Sequence, residues 1–156
     1  MRLIFAFIVL TMSLQASIAR ASKRKVLLPT LKARGVKTHE SRAIGTSLCN
    51  AIDRLRVYKL TCADDLQAMI KWNARASQLN ACKDDNCFAT AAEAMKAEFV
   101  ITGSYSKVGD IYVLALGLLS VKNSTIEKRV ELKTKSSAQM LKQLDQAAKQ
   151  LVTEQK

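Results

Sequence analysis

Between Phe99 and Thr134 the chain reads "FVITGSYSKVGDIYVLALGLLSVKNSTIEKRVELKT". This stretch is rich in β-branched and aromatic residues, and two turn-forming pairs, Gly109-Asp110 and Asn123-Ser124, interrupt it at hairpin spacing. The pattern predicts three antiparallel strands, Phe99 to Ser106, Ile111 to Val121 and Thr125 to Thr134, in a meander. Such a meander must bury one face against other elements to be stable. The rest of the chain has to supply that cover.

It does so with helical stripes. In "ESRAIGTSLCNAIDRL" the residues Ile44, Leu48, Ala51, Ile52 and Leu55 recur at three- or four-residue spacing, weakened locally by Gly45. Leu66, Met69 and Ile70 begin a second stripe that can include Leu79, and Thr61-Cys62-Ala63-Asp64 before it fits a capping box. Phe88, Ala91, Ala92, Met95 and Phe99 repeat at helical spacing, with Asp85 or Asn86 as N-cap. Ser136-Ser-Ala-Gln139 is a further capping box, ahead of Met140, Leu141, Leu144, Ala147, Ala148, Leu151 and Val152. Two short apolar runs remain. "KVLLPTL", Lys25 to Leu31, reads as a first strand whose Pro29 suits an end or an edge, and a polar connection with Gly35 follows it. "VYKL", Val57 to Leu60, reads as a second strand. The order β-α-β-α-α-β-β-β-α predicts an α/β fold: a mixed sheet with a C-terminal antiparallel three-strand meander and helices packed on the sheet. The first two strands should be parallel neighbours joined by a right-handed crossover.

The N-terminus bears on the compartment. Arg2, the apolar run Leu3 to Leu10 and the small-x-small site Ala19-Arg20-Ala21 read as a secretory signal peptide cleaved before Ser22. The run is far short of the roughly 20 residues that span a bilayer, so the mature chain is expected not to be membrane-spanning. Removing residues 1–21 leaves 135 of the 156, suited to one domain, and lowers the formal charge from +12 to +10 because Arg2 and Arg20 leave. Behind a signal peptide this balance points to anionic lipid, lipopolysaccharide, wall polymer or an acidic protein. The basic residues lack the aromatic interleaving of a single-strand binder, so no nucleic acid is expected. The predicted location is periplasmic or secreted.

In that setting the four cysteines have a structural reading. Cys82 and Cys87 flank "KDDN". A redox site wants C-x-x-C at a helix start. Zinc wants about four ligands with paired spacings, and the remaining candidates are Cys49, Cys62 and the lone His39. A calcium loop would need a glycine and a downstream glutamate that Asp84-Asp85 lacks. In an oxidising compartment four cysteines form two bridges out of three possible pairings. The short loop makes Cys82–Cys87 the natural pair and leaves Cys49 with Cys62. No metal and no cofactor are expected.

Catalytic motifs are missing as well. There is no G-x-S-x-G, P-loop, dinucleotide fingerprint or H-E-x-x-H. The residues do carry a resemblance. "KVLLPTL", Leu60-Thr61 with Asp64-Asp65-Leu66, the "CKDDNC" loop and above all "VITGSYSKVGDIY" resemble the small periplasmic domain at the amino end of TolB, and are similar to the core of CsgG-like and FlgO-like outer-membrane proteins. The resemblance implies a single TolB N-terminal-like domain over residues 22–156 that binds an envelope protein partner without catalysis. A polyanion-surface binder is the alternative reading, and a hydrolase without a recognisable motif is a third.

Overall fold

Pro29 decides how the sheet begins. In the computed structural model, which describes residues 23–70, 81, 82 and 84–153, the first strand, β1 (Lys25–Leu28), stops just before it. The chain then resumes as β2 (Lys32–Arg34). Proline has no amide to give a ladder, so the expected strand over Lys25 to Leu31 becomes two pieces. The carbonyl of Leu31 in the break accepts from the buried hydroxyl of Ser41 at 3.2 Å, which keeps that polar group satisfied. Sequence periodicity missed β2 because three residues are too few to show alternation.

The elements continue as α1 (Thr38–Arg54), β3 (Lys59–Cys62), α2 (Ala63–Ile70), α3 (Asp85–Ala94), β4 (Phe99–Val108), β5 (Ile111–Ser120), β6 (Thr125–Thr134) and α4 (Ser137–Val152). The sheet is mixed, with the order β3-β1-β4-β5-β6 and β2 beside β4. β1 runs parallel to β3 and to β4, pairing Val26 with Phe99, and β2 continues along the same side of β4, pairing Lys32 with Ser104. β4, β5 and β6 form the expected antiparallel meander.

Alternation along the strands sorts the core. Val26, Leu28, Ile101, Tyr105, Leu114, Leu116, Leu118 and Val130 face α1 and α4, meeting Ile44, Leu48 and Ile52 of the first helix and Met140, Leu144, Ala147 and Leu151 of the second. The intervening Leu27, Val100 and Leu119 face the other way, against Leu66, Phe88, Ala91 and Ala92. The sheet is therefore buried on both faces at that end. Each of these large side chains contributes roughly 1.5–3 kcal/mol by leaving water. An irregularity in the β5–β6 ladder between Leu118 and Leu119 makes Glu127 an extra residue. It turns Ile126 toward α3, while Val130 and Leu132 still point at α4.

Three expected boundaries move. The second strand is Lys59–Cys62 rather than Val57 to Leu60, because Arg56 takes a positive φ of 56° after α1 and Tyr58 turns inward toward Phe99, with 6.3 Å between ring centroids. The capping carboxylate of α2 is Asp65, which accepts from the Cys62 amide at 3.1 Å; the box is shifted by one residue and Thr61 remains in the strand. The third helix starts earlier than Phe88, with Asp84 as N-cap accepting from the Cys87 amide at 2.9 Å. It ends at Ala94, so Phe99 belongs to the sheet alone. The expected signal segment, residues 1–21, and Leu79 lie outside the described residues.

Candidate binding site

The four cysteines come together as two pairs, Cys49 with Cys62 and Cys82 with Cys87, with Cα atoms 6.2 and 5.3 Å apart, inside the range a disulfide spans. Cys49 sits on α1 and Cys62 ends β3, so this pair fastens a helix to a strand. Cys87 lies in the first turn of α3, and its buried partner Cys82 precedes that helix. His39 is exposed near the start of α1. Among the described residues no three His, Cys, Asp or Glu side chains gather where a metal could sit.

A small cleft of about 160 Å³ opens at the carboxyl ends of β1 and β3, the place where open α/β sheets commonly take ligands. Its walls are Leu28, Pro29, Arg42, Cys49, Asp64 and Asp65, among others. Asp64 is already engaged, accepting from Thr46 Oγ1 at 3.2 Å, and Asp65 is spent on the α2 cap. The cleft is therefore mostly a knot of internal hydrogen bonds around the Cys49–Cys62 pair.

A larger groove lies on the sheet face that carries α3. Among the described residues, α3 covers one end of that face through Phe88, Ala89, Ala91 and Ala92, together with Leu66 of α2. Beyond Phe88 the floor consists of Thr102 and Ser104 of β4 with Ala115 and Gly117 of β5, forming a depression of about 250 Å³. Small side chains keep it low, since a strand's outward residues alternate with its core residues and these are all short. Lys32 and Arg34 stand on one rim and Arg129 on the other, with Asp85 near the helix end. Lys32 Nζ lies 5.6 Å from the centre of the Phe88 ring. Ladder partners share a face, which places Lys32 beside Ser104 and Arg34 beside Ser106. Sequence reasoning missed this site because its rim belongs to β2. The alternation Lys32-Ala33-Arg34 straight after Pro29 is the signal that carries it.

One polar cluster sits in the core. The Tyr105 hydroxyl donates to Ser137 Oγ at 3.0 Å and lies 3.4 Å from Glu40 Oε1, while the Ser137 hydroxyl donates to the same carboxylate. Burial pushes the Tyr105 phenol above the ordinary tyrosine range, a shift that its bond with Ser137 opposes and the Glu40 charge reinforces. A phenol held protonated in this way joins the starts of α1 and α4 to the middle of β4. It is a structural tie.

These features define a class: a two-sided mixed α/β sheet with an antiparallel meander, its second face covered at one end by the described residues of α2 and α3. No family model matches the chain, and no curated protein sequence does. Solved structures do match in fold. The C-terminal domain of LpoB from Escherichia coli superposes with a TM-score of 0.57 at 16% identity, over 74% of this chain and 84% of that one. The PelC dodecamer from Paraburkholderia phytofirmans gives 0.58 at 11% identity, over 86% and 90%. Lipoprotein GNA1162 from Neisseria meningitidis gives 0.54 at 9% identity, over 72% and 80%. The mixed α/β fold expected from the sequence is the fold found, and it is shared with LpoB, PelC and GNA1162. The comparisons do not extend it to CsgG-like or FlgO-like proteins. Among the described residues no helix is long and apolar enough to cross a membrane.

Proposed function

We propose that this chain is an exported, non-enzymatic binding module of the bacterial cell envelope, in which residues 1–21 leave as a signal peptide, residues 22–156 remain as one domain, and Cys49–Cys62 and Cys82–Cys87 are oxidised. The observation that carries the reading is the groove on the half-covered sheet face, with a floor of Thr102, Ser104, Ala115 and Gly117 and a rim of Lys32, Arg34 and Arg129. An extended or flat protein surface can approach such a floor closely, and the rim favours one with acidic residues at its edges. The fold neighbours support the setting. One is a lipoprotein and another a dodecamer, so this fold occurs in lipid-anchored and in self-assembling bacterial proteins.

The test is a pull-down from envelope extract at low and at raised salt, using the wild-type chain and Ala115→Trp, which fills the groove from its floor. The proposal expects a discrete protein retained by the wild type at both salt concentrations and lost with the folded variant. The charge of the mature chain favours a second reading, attachment to a polyanion surface. That reading expects binding to anionic vesicles that fades as salt shortens the screening length to about 8 Å, and indifference to Ala115→Trp.

A further inference from the structure

β6 is an edge strand ten residues long, and no backbone hydrogen bond from another described segment reaches its outer side. Long unpaired edges invite another strand, and charged side chains normally keep one away. Here the signs of those charges are arranged. Beyond the irregularity at Glu127 the residues facing away from α4 are Arg129, Glu131 and Lys133, while Val130 and Leu132 face the core. We infer that the β6 edge is an interface for a second copy of this chain, paired antiparallel about a two-fold axis at Val130.

In that register Val130 lies opposite Val130 of the second copy, and Arg129 lies opposite Glu131 twice, once on each side of the axis. Directly opposed residues on such a ladder stand with Cα atoms roughly 4.5–5.5 Å apart, close enough for opposite charges to attract and like charges to repel. Shifting the axis by one residue to Arg129 opposes the two copies of Arg129 to each other, and shifting it to Glu131 opposes the two copies of Glu131 to each other and Arg129 to Lys133. The pattern that repels a slipped strand therefore accepts the two-fold one. Within the chain Glu131 meets Lys133 at 2.7 Å, but both side chains are more than half exposed, and such a pair is worth little. Arg129 has no ion partner among the described residues. Glu127, at one end of the paired stretch, falls on the irregularity, so its pairing with Lys133 adds little.

α4 continues the surface. At about 100° per residue Gln139, Gln143, Gln146 and Gln150 share one flank of this helix. Asp145 on the opposite flank reaches Arg54 of α1, so the glutamine flank points away from α1 and toward the β6 edge. Gln139 and Gln143 stand there beside Lys133 and Thr134. The two-fold axis that pairs the strands brings two such glutamine rows side by side, able to donate and accept with their own copies, with Lys135 and Lys142 next to them. An isologous contact needs this kind of self-complementarity.

Light scattering on the full exported chain, purified in its oxidised form over a wide concentration range, tests the inference. The wild type should dimerise. Arg129→Glu should weaken association tenfold or more by opposing two pairs of like charges, and Glu131→Arg should do the same. The double variant R129E/E131R should restore the dimer. Circular dichroism checks that each variant is folded. R129C mixed with E131C should cross-link faster than either alone. A wild type that stays monomeric, a dimer indifferent to the single reversals, a double variant that stays apart, or a larger ring overturns the inference.

Discussion

Tyr105 shows how one residue ties sequence position to a measurable property. Its phenol is buried, bonded to Ser137 and close to Glu40, so the folded state holds the proton more tightly than the unfolded chain, whose tyrosines lose theirs near pH 10. Stability from this group is complete below that pH. It falls as pH rises past it, because the unfolded state ionises first. Urea midpoints measured from pH 7 to 11 should show a decline above about 10 that Tyr105→Phe lacks, and the variant should cost about 1 kcal/mol at neutral pH for the lost hydrogen bond. An identical alkaline decline in both proteins would contradict the assignment. The cysteines make a second case. Closing thirteen residues removes more unfolded-chain entropy than closing five, about 3 against about 2 kcal/mol by the chain-entropy rule. Replacing Cys49 and Cys62 by serine should therefore lower the thermal midpoint more than replacing Cys82 and Cys87. Equal midpoints, or free thiols in mass mapping of the exported protein, would count against the proposed bridges.

Among the elements, caps and turns account for what the sequence reveals. The meander was legible because Gly109-Asp110 and Asn123-Ser124 punctuate it; Thr125–Thr134 is found as expected, and the other two strands differ by no more than two residues at one end. The start of α4 was legible for the same kind of reason. Ser136 accepts from the Gln139 amide at 3.2 Å, while the Gln139 side chain reaches the amide of Lys135 rather than completing the box. Local signals failed where a tertiary contact decides. Tyr58 leaves the strand pattern to meet Phe99, and β2 exists only because β4 offers it a ladder. The candidate groove depends on β2, so it was not readable from period alone, whereas spacing sufficed to suggest the cysteine pairs that lie within disulfide reach. Asp84→Ala should destabilise by about 1 kcal/mol, the usual value of an N-cap, read as a lower urea midpoint with an unchanged slope. Asp85→Ala, which removes a charge near the helix start but leaves the Asp84 cap bond in place, should cost less. The reverse order would move the cap to Asp85.

For the whole molecule, function rests on what the two faces of one sheet do. One face is closed by α1 and α4 and holds the fold together. The other is closed by α3 at one end and presents short side chains between basic rims along the rest. The β6 edge adds a place for a second copy without occupying the groove floor, which is built from β4 and β5. The proposed envelope module thus keeps stability on one face, while self-association and partner binding meet at Arg129, which stands on the groove rim and on β6. In this proposal a protein partner occupies the groove in the cell envelope. A photo-activated cross-linker placed at Ser104 of the exported chain, with Lys122 in the exposed turn between β5 and β6 as control, tests that claim most directly. A discrete protein adduct from Ser104, retained at high salt and absent from Lys122, is the predicted result. No adduct at Ser104, or the same adducts from both positions, would contradict it.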